Sequence, residues 1–179
     1  MTTKVRLTKL YDNKEIKSTV RQIAKDITRD YKGKNPLIIG ILKGSFIFIA
    51  DLVRELRFPL EIEFIRLSSY GRGQTSSGKV KVLQKIAAKI KGRDVLIVED
   101  IIDSGVTLNF LIDYILKKQP SSLKLCCLLD KVARRRSPVT IDYVGLIVPD
   151  KFLVGYGLDW DEKYRNLPDI CCVEDEIAT

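Results

Sequence analysis

The chain contains 179 residues, of which 45% are hydrophobic, and it carries a formal net charge of +8. This length and composition suit one compact domain with a substantial core, and no apolar run reaches the length of a membrane span. The chain has no histidine, so histidine-ligated metals are excluded, and any general acid or base must be a carboxylate, lysine, tyrosine or cysteine. The first six residues lack the hydrophobic region of a signal peptide, which predicts a cytoplasmic protein.

The basic excess and the cysteines restrict the function less sharply. A positive net charge fits an anionic small-molecule ligand, but it fits RNA or simple solubility equally well. The four cysteines form two adjacent pairs, Cys126-Cys127 and Cys171-Cys172, inside strand-like apolar runs. Because adjacent strand residues face opposite ways, neither pair has the spacing of a zinc or redox motif. We expect buried, reduced thiols.

The beginning of the chain predicts alternating strands and helices. Residues 5–10 form a short strand or an extended arm, and Asn13 is expected to cap a helix. A buried strand over 36–42 stops at Lys43-Gly44 before a second helix. A lysine beside a glycine at such a junction can offer a cation and a bare N–H to an anion, whereas the simpler interpretation is a surface lysine at a turn.

A Walker-like pattern lies in the next polar segment. A strand over 60–69 leads into a glycine-rich loop over 72–79 that contains Gly73 and Gly78-Lys79 at P-loop spacing. Val80, however, occupies the position of the magnesium-binding Ser or Thr, and the residues after the loop alternate like a strand instead of opening a helix. We therefore interpret the match as false and expect an antiparallel excursion of the chain.

The most informative stretch begins with residues 95–98. They form an unbroken apolar run, typical of a strand buried on both faces of a parallel sheet, and Glu99 and Asp100 end it. Ionised carboxylates need partners in such a place, so we expect both to point into a cleft. The residues that follow, 103–107, combine hydroxyl groups with a glycine and lead into a helix with an apolar face.

The start of that helix is a candidate anion site. Its first N–H groups lack internal partners and favour a phosphate. A ligand there would turn hydroxyls or a cation toward Glu99 and Asp100 and a phosphate toward the loop, and a sugar phosphate has this polarity. The alternative is a plain strand-to-helix turn in which Asp100 or Asp103 is a solvated cap.

The remaining chain predicts three more strands, over 123–129, 141–148 and 170–173. Lys131 follows the first of them, at the carboxyl end of a parallel strand, where α/β folds place ligands. The run Arg134-Arg135-Arg136 is interpreted as a solvated loop or a subunit contact, with RNA contact as an alternative. On composition alone, the aromatic residues between 152 and 160 belong to the core.

The central stretch resembles the phosphoribosyl pyrophosphate (PRPP) signature of the type I phosphoribosyltransferases. That signature is an apolar strand followed by two acids and an Asp-(Ser/Thr)-Gly-x-Thr loop. The form Val-Glu-Asp-Ile-Ile-Asp-Ser-Gly at 98–105 is most similar to the hypoxanthine-guanine branch. Five motifs in family order, from Leu42-Lys43-Gly44 to Arg165, extend the resemblance over nearly the whole chain.

The resemblance implies a fold and a domain organisation. We expect an α/β fold of the Rossmann-like type, with a mostly parallel central sheet flanked by helices. A single phosphoribosyltransferase domain would span 1–179, with a small hood lobe built from about 1–12 and 150–179. A flexible loop at about 70–80, which starts at Ser69-Tyr70, would close over the reacting centre and exclude water.

The resemblance also assigns roles to site residues. Asp103 would be the catalytic base, and the Leu42–Lys43 peptide bond would be cis. The ribose and its phosphate would be bound by Glu99, Asp100, Asp103, Ser104, Gly105, Val106 and Thr107. Pyrophosphate would be bound by Lys43, Gly44 and Arg165, and magnesium by Glu99, Asp100 and Asp159. The purine would contact Lys131, Phe152, Leu153 and Asp159, although Leu153 stands where some relatives have valine.

The implied activity is purine salvage. The phosphoribosyl group of PRPP would be transferred to hypoxanthine or guanine, which yields IMP or GMP and pyrophosphate, with Mg²⁺ as cofactor. Homodimers or homotetramers are usual in the family, and we expect neither membrane nor nucleic-acid partners. Two alternatives stay open. A regulator of this fold would keep the PRPP loop but act on RNA or DNA, and another relative would prefer xanthine or adenine.

Overall fold

The computed structural model describes residues 6–69 and 80–174. Its strands are β1 (Arg6–Tyr11), β2 (Leu37–Leu42), β3 (Glu61–Ser69), β4 (Val80–Gln84), β5 (Asp94–Ile102), β6 (Ser122–Asp130), β7 (Tyr143–Ile147), β8 (Phe152–Val154) and β9 (Ile170–Glu174). Its helices are α1 (Asn13–Asp30), α2 (Phe46–Glu55) and α3 (Val106–Leu116), with a short 3-10 turn over Val132–Arg134.

The predicted closing loop falls almost entirely outside this description. Residues 70–79 and the side chain of Ser69 lie outside the described residues. The role of Ser69 and Tyr70 over the site therefore stays a prediction. Val80, the last position of the Walker-like pattern, opens the strand β4. A P-loop requires a helix at this point, so the interpretation of the pattern as a false match is confirmed.

Six strands form the central sheet, in the order β4-β3-β2-β5-β6-β7. Neighbouring strands are parallel except for β3 with β4, which pair antiparallel. The middle strands β2 and β5 carry nearly continuous apolar runs, as expected for strands that are covered on both faces. The predicted fold class, a mostly parallel sheet in an α/β protein, is confirmed.

The helices cover the two faces of this sheet. On one face, α1 and α2 contribute Ile16 and Phe48 to a core cluster that also contains Leu96 of β5. On the other face, Leu111 of α3 belongs to a second cluster with Ile97, the next residue of β5. The alternation of these two strand residues between the two cores follows from the pleat of the strand. Within the described residues, no helix combines the length and apolar character that crossing a membrane requires.

The N-cap of helix α1 lies one residue before the cap predicted from the sequence. Asp12 is the N-cap, and its carboxylate accepts hydrogen bonds from the N–H groups of Lys14 and Glu15 at 2.8 and 2.9 Å. The carboxylate of Glu15 accepts one from the N–H of Asp12 at 2.8 Å, which completes a capping box. The prediction of Asn13 as the cap was therefore wrong, because this reciprocal pair of acids satisfies the first N–H groups.

The strands β1, β9 and β8 form a separate antiparallel sheet. This small sheet joins the two ends of the chain, and it corresponds to the hood lobe expected from the resemblance. It resolves the choice between strand and arm at the N-terminus in favour of a strand. The three-residue strand β8 is absent from the sequence prediction, because so short a run beside glycines has no strand periodicity to detect.

All four cysteines are free and buried, as predicted from their position in apolar runs. Burial raises the pKa of the Cys126 thiol, and the pKa of Cys127 is raised by burial and by nearby carboxylates. A thiol with a raised pKa is a poor nucleophile at neutral pH. These cysteines therefore act as small apolar residues of the core.

Candidate active site

The residues with predicted ligand contacts meet at the carboxyl ends of the parallel strands. Lys43 follows β2, Asp103 follows β5 and Lys131 follows β6. Because these strands are parallel neighbours or next neighbours, their carboxyl ends share one edge of the sheet. We refer to this region, from Lys43 across to Arg165, as the cleft.

The two acids of β5 lie inside the strand, since β5 continues to Ile102. They consequently point to opposite faces, and the prediction that the strand ends at these two acids was wrong. Glu99 lines a cavity of about 170 Å³ together with the loop from Asp103 to Thr107. Asp100 is buried on the other face, beside Gly44.

Burial makes both acids harder to ionise. It raises the pKa of Glu99 well above its usual range, and the charge of Asp100 adds to this effect. It also raises the pKa of Asp100 to about 6, although N–H groups of the strand and the cation of Arg165 oppose the rise. One carboxylate oxygen of Glu99 is buried without a hydrogen-bond partner among the described residues. Buried carboxyl groups with raised pKa values and unpaired oxygens are typical of ligand-binding sites.

The loop before α3 presents free backbone donors. Gly105 is the N-cap of α3 with a φ of 81°, and as a glycine it has no side chain to make a capping hydrogen bond. A Cβ at this position would stand 2.7 Å from the Ser137 carbonyl oxygen, so both backbone conformation and space favour glycine. The side chain of Ser104 accepts a hydrogen bond of 3.4 Å from the N–H of Val106, at which the helix begins. The first turn can therefore direct N–H groups toward an anion in the cavity.

The Lys43-Gly44 loop packs tightly against the acid of β5. The Leu42–Lys43 peptide bond is cis, as the resemblance implied. A Cβ on Gly44 would lie 1.8 Å from a carboxylate oxygen of Asp100, and a Cβ on Gly157 would lie 2.1 Å from the Gly44 carbonyl oxygen. These two glycines let three distant segments of the chain approach each other closely.

A cluster of ions joins both predicted pyrophosphate cations. The ammonium of Lys43 lies 2.9 Å from each carboxylate oxygen of Glu162. The guanidinium of Arg165 lies 3.2 Å from Glu162 and 2.8 Å from Asp159, and it donates to the Gly157 carbonyl at 2.8 Å. Glu162 is absent from the sequence prediction. In the sequence it resembles an ordinary polar turn residue. Its spacing of three residues from both Asp159 and Arg165 is the pattern that could have indicated a contact with them.

The predicted catalytic base, Asp103, has one carboxylate oxygen that is buried and without a partner in the described part of the chain. Its other oxygen is 3.9 Å from the guanidinium of Arg134, which also pairs with Asp150 at 2.8 Å. Sequence reasoning missed this contact because Arg134 was grouped with its neighbours as a solvated arginine. The interpretation as a solvated residue fits Arg134, whose side chain is 54% exposed. It was wrong for Arg135, which is largely buried and pairs with Asp130 at the end of β6.

The predicted purine residues lie where β6 approaches the small sheet. Lys131 is buried, and its N–H donates to the Ile102 carbonyl at 3.0 Å. Burial raises the pKa of Cys172 in β9, and the cations of Lys151 and Lys131 oppose that rise. Cys172 pairs with the buried Leu153 of β8, and both residues share a core cluster with Leu129 of β6, two residues before Lys131.

The aromatic residue of this region faces solvent. Phe152, next to Leu153 in β8, is 54% exposed. A large exposed ring offers a stacking surface to a flat heterocycle. Asp159, the fourth predicted purine contact, is held by Arg165 and accepts a hydrogen bond of 2.8 Å from the N–H of Glu162.

The predicted magnesium ligands do not form one cluster. In the stretches 6–69 and 80–174, no group of three or more acids or cysteines is arranged to hold a metal ion. Glu99 and Asp100 face opposite sides of β5, whereas Asp159 is near enough to Asp100 to raise its pKa slightly. Carboxylate oxygens suit Mg²⁺, which commonly takes one or two of them and completes its shell with water and phosphate oxygens. The residues therefore fit a magnesium ion shared with a ligand.

A larger groove, of about 640 Å³, lies at the opposite end of the sheet between α1 and β7. Asp30, at the end of α1, accepts hydrogen bonds there from Lys124 at 2.6 Å and from the Tyr143 hydroxyl at 2.8 Å. Of the predicted site residues that the structure describes, none lines this groove. Its polar groups bind each other, which favours a structural role.

The comparisons with known proteins agree with the geometry of the cleft. A family model for the phosphoribosyl transferase domain matches residues 6–161. The hypoxanthine-guanine phosphoribosyltransferase of Aquifex aeolicus is 47% identical over 93% of this chain and 94% of its own length. A crystal structure of the hypoxanthine-guanine phosphoribosyltransferase from Bacillus anthracis superposes with a TM-score of 0.91 at 46% identity, and the match covers 96% of this chain and 100% of that one.

Some relatives are much longer. The bifunctional protein TilS/HprT of Listeria innocua is 47% identical over 94% of this chain, but the chain spans 26% of that protein's length. The shared part is the portion that carries the motifs of the cleft. The chain therefore belongs to the phosphoribosyltransferase family, and within it to the hypoxanthine-guanine branch.

Proposed function

We propose that the protein is a purine salvage enzyme that transfers the phosphoribosyl group of PRPP to hypoxanthine, guanine or both. The products are IMP or GMP and pyrophosphate, and the reaction uses Mg²⁺. A single domain over 1–179 performs it in the cytoplasm, as a homodimer or homotetramer. One observation carries the proposal: the Lys43-Gly44 loop, the acid of β5, the loop before α3 and Arg165 meet at one edge of the sheet.

The charge changes of the reaction match the charges of the cleft. Breaking the anomeric C–O bond of PRPP builds positive charge on the ribose and negative charge on the pyrophosphate. Lys43, the N–H of Gly44 and Arg165 neutralise the leaving group. The N–H groups at the start of α3 hold the ribose phosphate, so that binding energy far from the reacting atoms positions the anomeric carbon.

The incoming purine must lose a proton from the ring nitrogen that attacks. Asp103 accepts this proton, since its buried oxygen has no competing partner among the described residues and the chain has no histidine. Phe152 stacks on the base, the backbone of Leu153 contacts its edge, and Lys131 donates to the purine carbonyl oxygen. This last contact selects oxo-purines over adenine, which carries an amino group at that position.

The acids of the cleft serve the ribose hydroxyls and the metal. Asp100 and Asp159 would hold magnesium on one side of β5, and Glu99 would bind the ribose hydroxyls, or the ion through water, on the other. When bound, the ion supplies positive charge to the pyrophosphate oxygens and acts as a Lewis acid. Because Mg²⁺ commonly takes one or two carboxylates, water and PRPP oxygens would complete its coordination shell.

A purine competition assay tests the proposal. The purified protein is mixed with PRPP, Mg²⁺ and either hypoxanthine, guanine, xanthine or adenine, and nucleotide formation is followed by ultraviolet absorbance. We expect turnover with hypoxanthine, guanine or both, and little with adenine. A preference for adenine would contradict the assignment of Lys131, and a preference for xanthine would instead identify the xanthine-preferring alternative. Binding of PRPP without turnover of any purine would instead support a regulator.

A further inference from the structure

Glu162 occupies the place between the two cations that the proposed function assigns to pyrophosphate. Its two carboxylate oxygens accept from Lys43 at 2.9 Å each, and one of them lies 3.2 Å from Arg165. A carboxylate bound by two cations in this way makes the same kind of charge-assisted contacts that a phosphoryl group would make there. The chain thus carries an internal anion where the substrate's diphosphate is expected.

The turn around Glu162 directs the carboxylate to this place. Asp161 and Glu162 have φ values of 52° and 60°, and Trp160 pairs with Lys163 in an isolated antiparallel bridge. The N–H of Glu162 donates to Asp159 at 2.8 Å, which fixes the turn against the residue that also holds Arg165. Left-handed backbone is uncommon for such residues, so the direction of the side chain depends on this local network.

The contact is open to solvent and therefore displaceable. The side chain of Lys43 is 44% exposed and that of Glu162 is 65% exposed. Exposed ion pairs contribute little net stability, and a more highly charged anion from solvent can replace one of the partners. Arg165, in contrast, keeps Asp159 and the Gly157 carbonyl as partners when Glu162 leaves. Displacement would free Lys43 for the incoming anion and leave Arg165 in place.

We propose that Glu162 is a resident counter-ion that competes with the diphosphate group of PRPP and with pyrophosphate for Lys43 and Arg165. It leaves these cations as PRPP enters, and it returns to them as pyrophosphate departs. The residue thereby lowers the affinity of the cleft for diphosphates and speeds release of the product. This inference rests on the proposed function, because that function assigns the diphosphate to the same two cations.

The test compares two charge-neutralising variants of one turn. Glu162→Gln removes the internal anion, and Asp161→Asn removes an acid that is 83% exposed and contacts Lys163 at 3.5 Å instead of the two cations. Binding of pyrophosphate in the presence of Mg²⁺ is measured by isothermal titration calorimetry, and the KM for PRPP is measured in the forward reaction. Thermal melts establish that both variants are folded.

The Glu162→Gln variant should bind pyrophosphate roughly three- to tenfold more tightly and show a lower KM for PRPP, as expected for loss of a few exposed ionic contacts. High salt should reduce the difference, because solvent-exposed charges are screened. Asp161→Asn should match the parent protein. Glu162→Asn, a residue type that tolerates left-handed backbone, should repeat the effect of Glu162→Gln.

Unchanged or weaker pyrophosphate binding in both Glu162 variants would overturn the inference, and weaker binding would identify Glu162 as a residue that positions the cations. An equal effect of Asp161→Asn would show that any loss of negative charge on this turn strengthens pyrophosphate binding. That result would also overturn the inference. In these cases the parent protein still forms nucleotide. A parent protein that neither binds pyrophosphate nor forms nucleotide would overturn the proposed function as well.

Discussion

The two ends of the central sheet carry ionic clusters of opposite character. At the amino ends of β6 and β7, Asp30, Lys124 and Tyr143 bind each other at 2.6 to 3.1 Å. At the carboxyl ends, the described part of the chain retains buried side-chain atoms without hydrogen-bond partners, on Glu99, Asp103, Arg135 and Arg165. Complete pairing favours stability, whereas unpaired buried groups persist where a ligand supplies the partner.

The volume of a cavity does not show which end of the sheet is the functional one. The groove at the amino ends measures about 640 Å³, and the cavity beside the loop before α3 measures about 170 Å³. In open α/β sheets, ligands bind outside the carboxyl ends of the strands. The chemistry of the lining groups therefore identifies the site better than its volume. Variants at the carboxyl ends should lower turnover, whereas variants at the amino ends should lower stability.

The largest effect should come from Asp103→Asn. The amide cannot accept the purine proton, so we expect kcat to fall about 100-fold or more, in line with the contribution of a general base. The size and shape of the side chain are kept, so the binding of PRPP and the thermal midpoint should change little. Steady-state kinetics with hypoxanthine measure kcat, and calorimetry measures the binding of PRPP and the thermal midpoint. An unchanged kcat would remove Asp103 from its role as base.

Gly44→Ala should come next. The new methyl group would stand 1.8 Å from a carboxylate oxygen of Asp100, so the loop or the acid must shift. We expect kcat/KM for PRPP to fall about tenfold or more, because small displacements at a reacting centre carry large rate costs.

Gly33→Ala provides the contrast for this variant. A Cβ at residue 33 meets no atom within 4 Å, but its φ is 77°. This change should cost about 1 kcal/mol of folding free energy through backbone strain and leave kcat/KM unchanged. Equal kinetics for Gly44→Ala and Gly33→Ala would show that the close contact of Gly44 with Asp100 has no functional value.

Asp30→Asn tests the other end of the sheet. We expect a loss of about 1 to 2 kcal/mol of unfolding free energy at neutral pH with no change in kcat, since a partly buried, charge-assisted network is weakened far from the cleft. Urea unfolding measures the first quantity. A loss of turnover in a variant of normal stability would contradict the structural role of this cluster.

The same variant has a defined pH dependence. Hydrogen bonds from Lys124 and Tyr143 lower the pKa of Asp30 from 3.8 to about 2. A lowered folded-state pKa contributes stability that is complete above the unfolded value and is lost as the pH falls toward the folded value. The stability difference between the parent protein and Asp30→Asn should therefore shrink between about pH 4 and about pH 2. A difference that is constant over this interval would show that the charge of Asp30 does not stabilise the fold.

Much of the fold is predictable from the sequence because its signals are local. The apolar runs of β2 and β5 predict buried parallel strands, and the loop from Asp103 to Thr107 is contiguous, so its turn and helix start are visible together. The directions of the Glu99 and Asp100 side chains are harder to predict from local sequence signals. Ile101 and Ile102 extend β5 beyond the acids, and the pleat then separates two side chains that the sequence predicts in one place.

The parts that sequence reasoning missed depend on contacts between distant segments. Glu162 meets Lys43 across 119 positions of the chain, through a turn whose left-handed residues carry no glycine signal. Arg134 and Arg135 form one run in the sequence, but the 3-10 turn sends them to different acids. Such contacts are set by tertiary packing, which composition and periodicity do not report.

The most direct measurement compares IMP formation from PRPP, hypoxanthine and Mg²⁺ by the parent protein, Asp103→Asn and Asp30→Asn under identical conditions. The account predicts turnover by the parent protein, a decrease in kcat of about 100-fold or more for Asp103→Asn, and a value within about twofold of the parent for Asp30→Asn. Absence of IMP with the parent protein, or equal losses in the two variants, would contradict the assignment of chemistry to the carboxyl ends of the sheet.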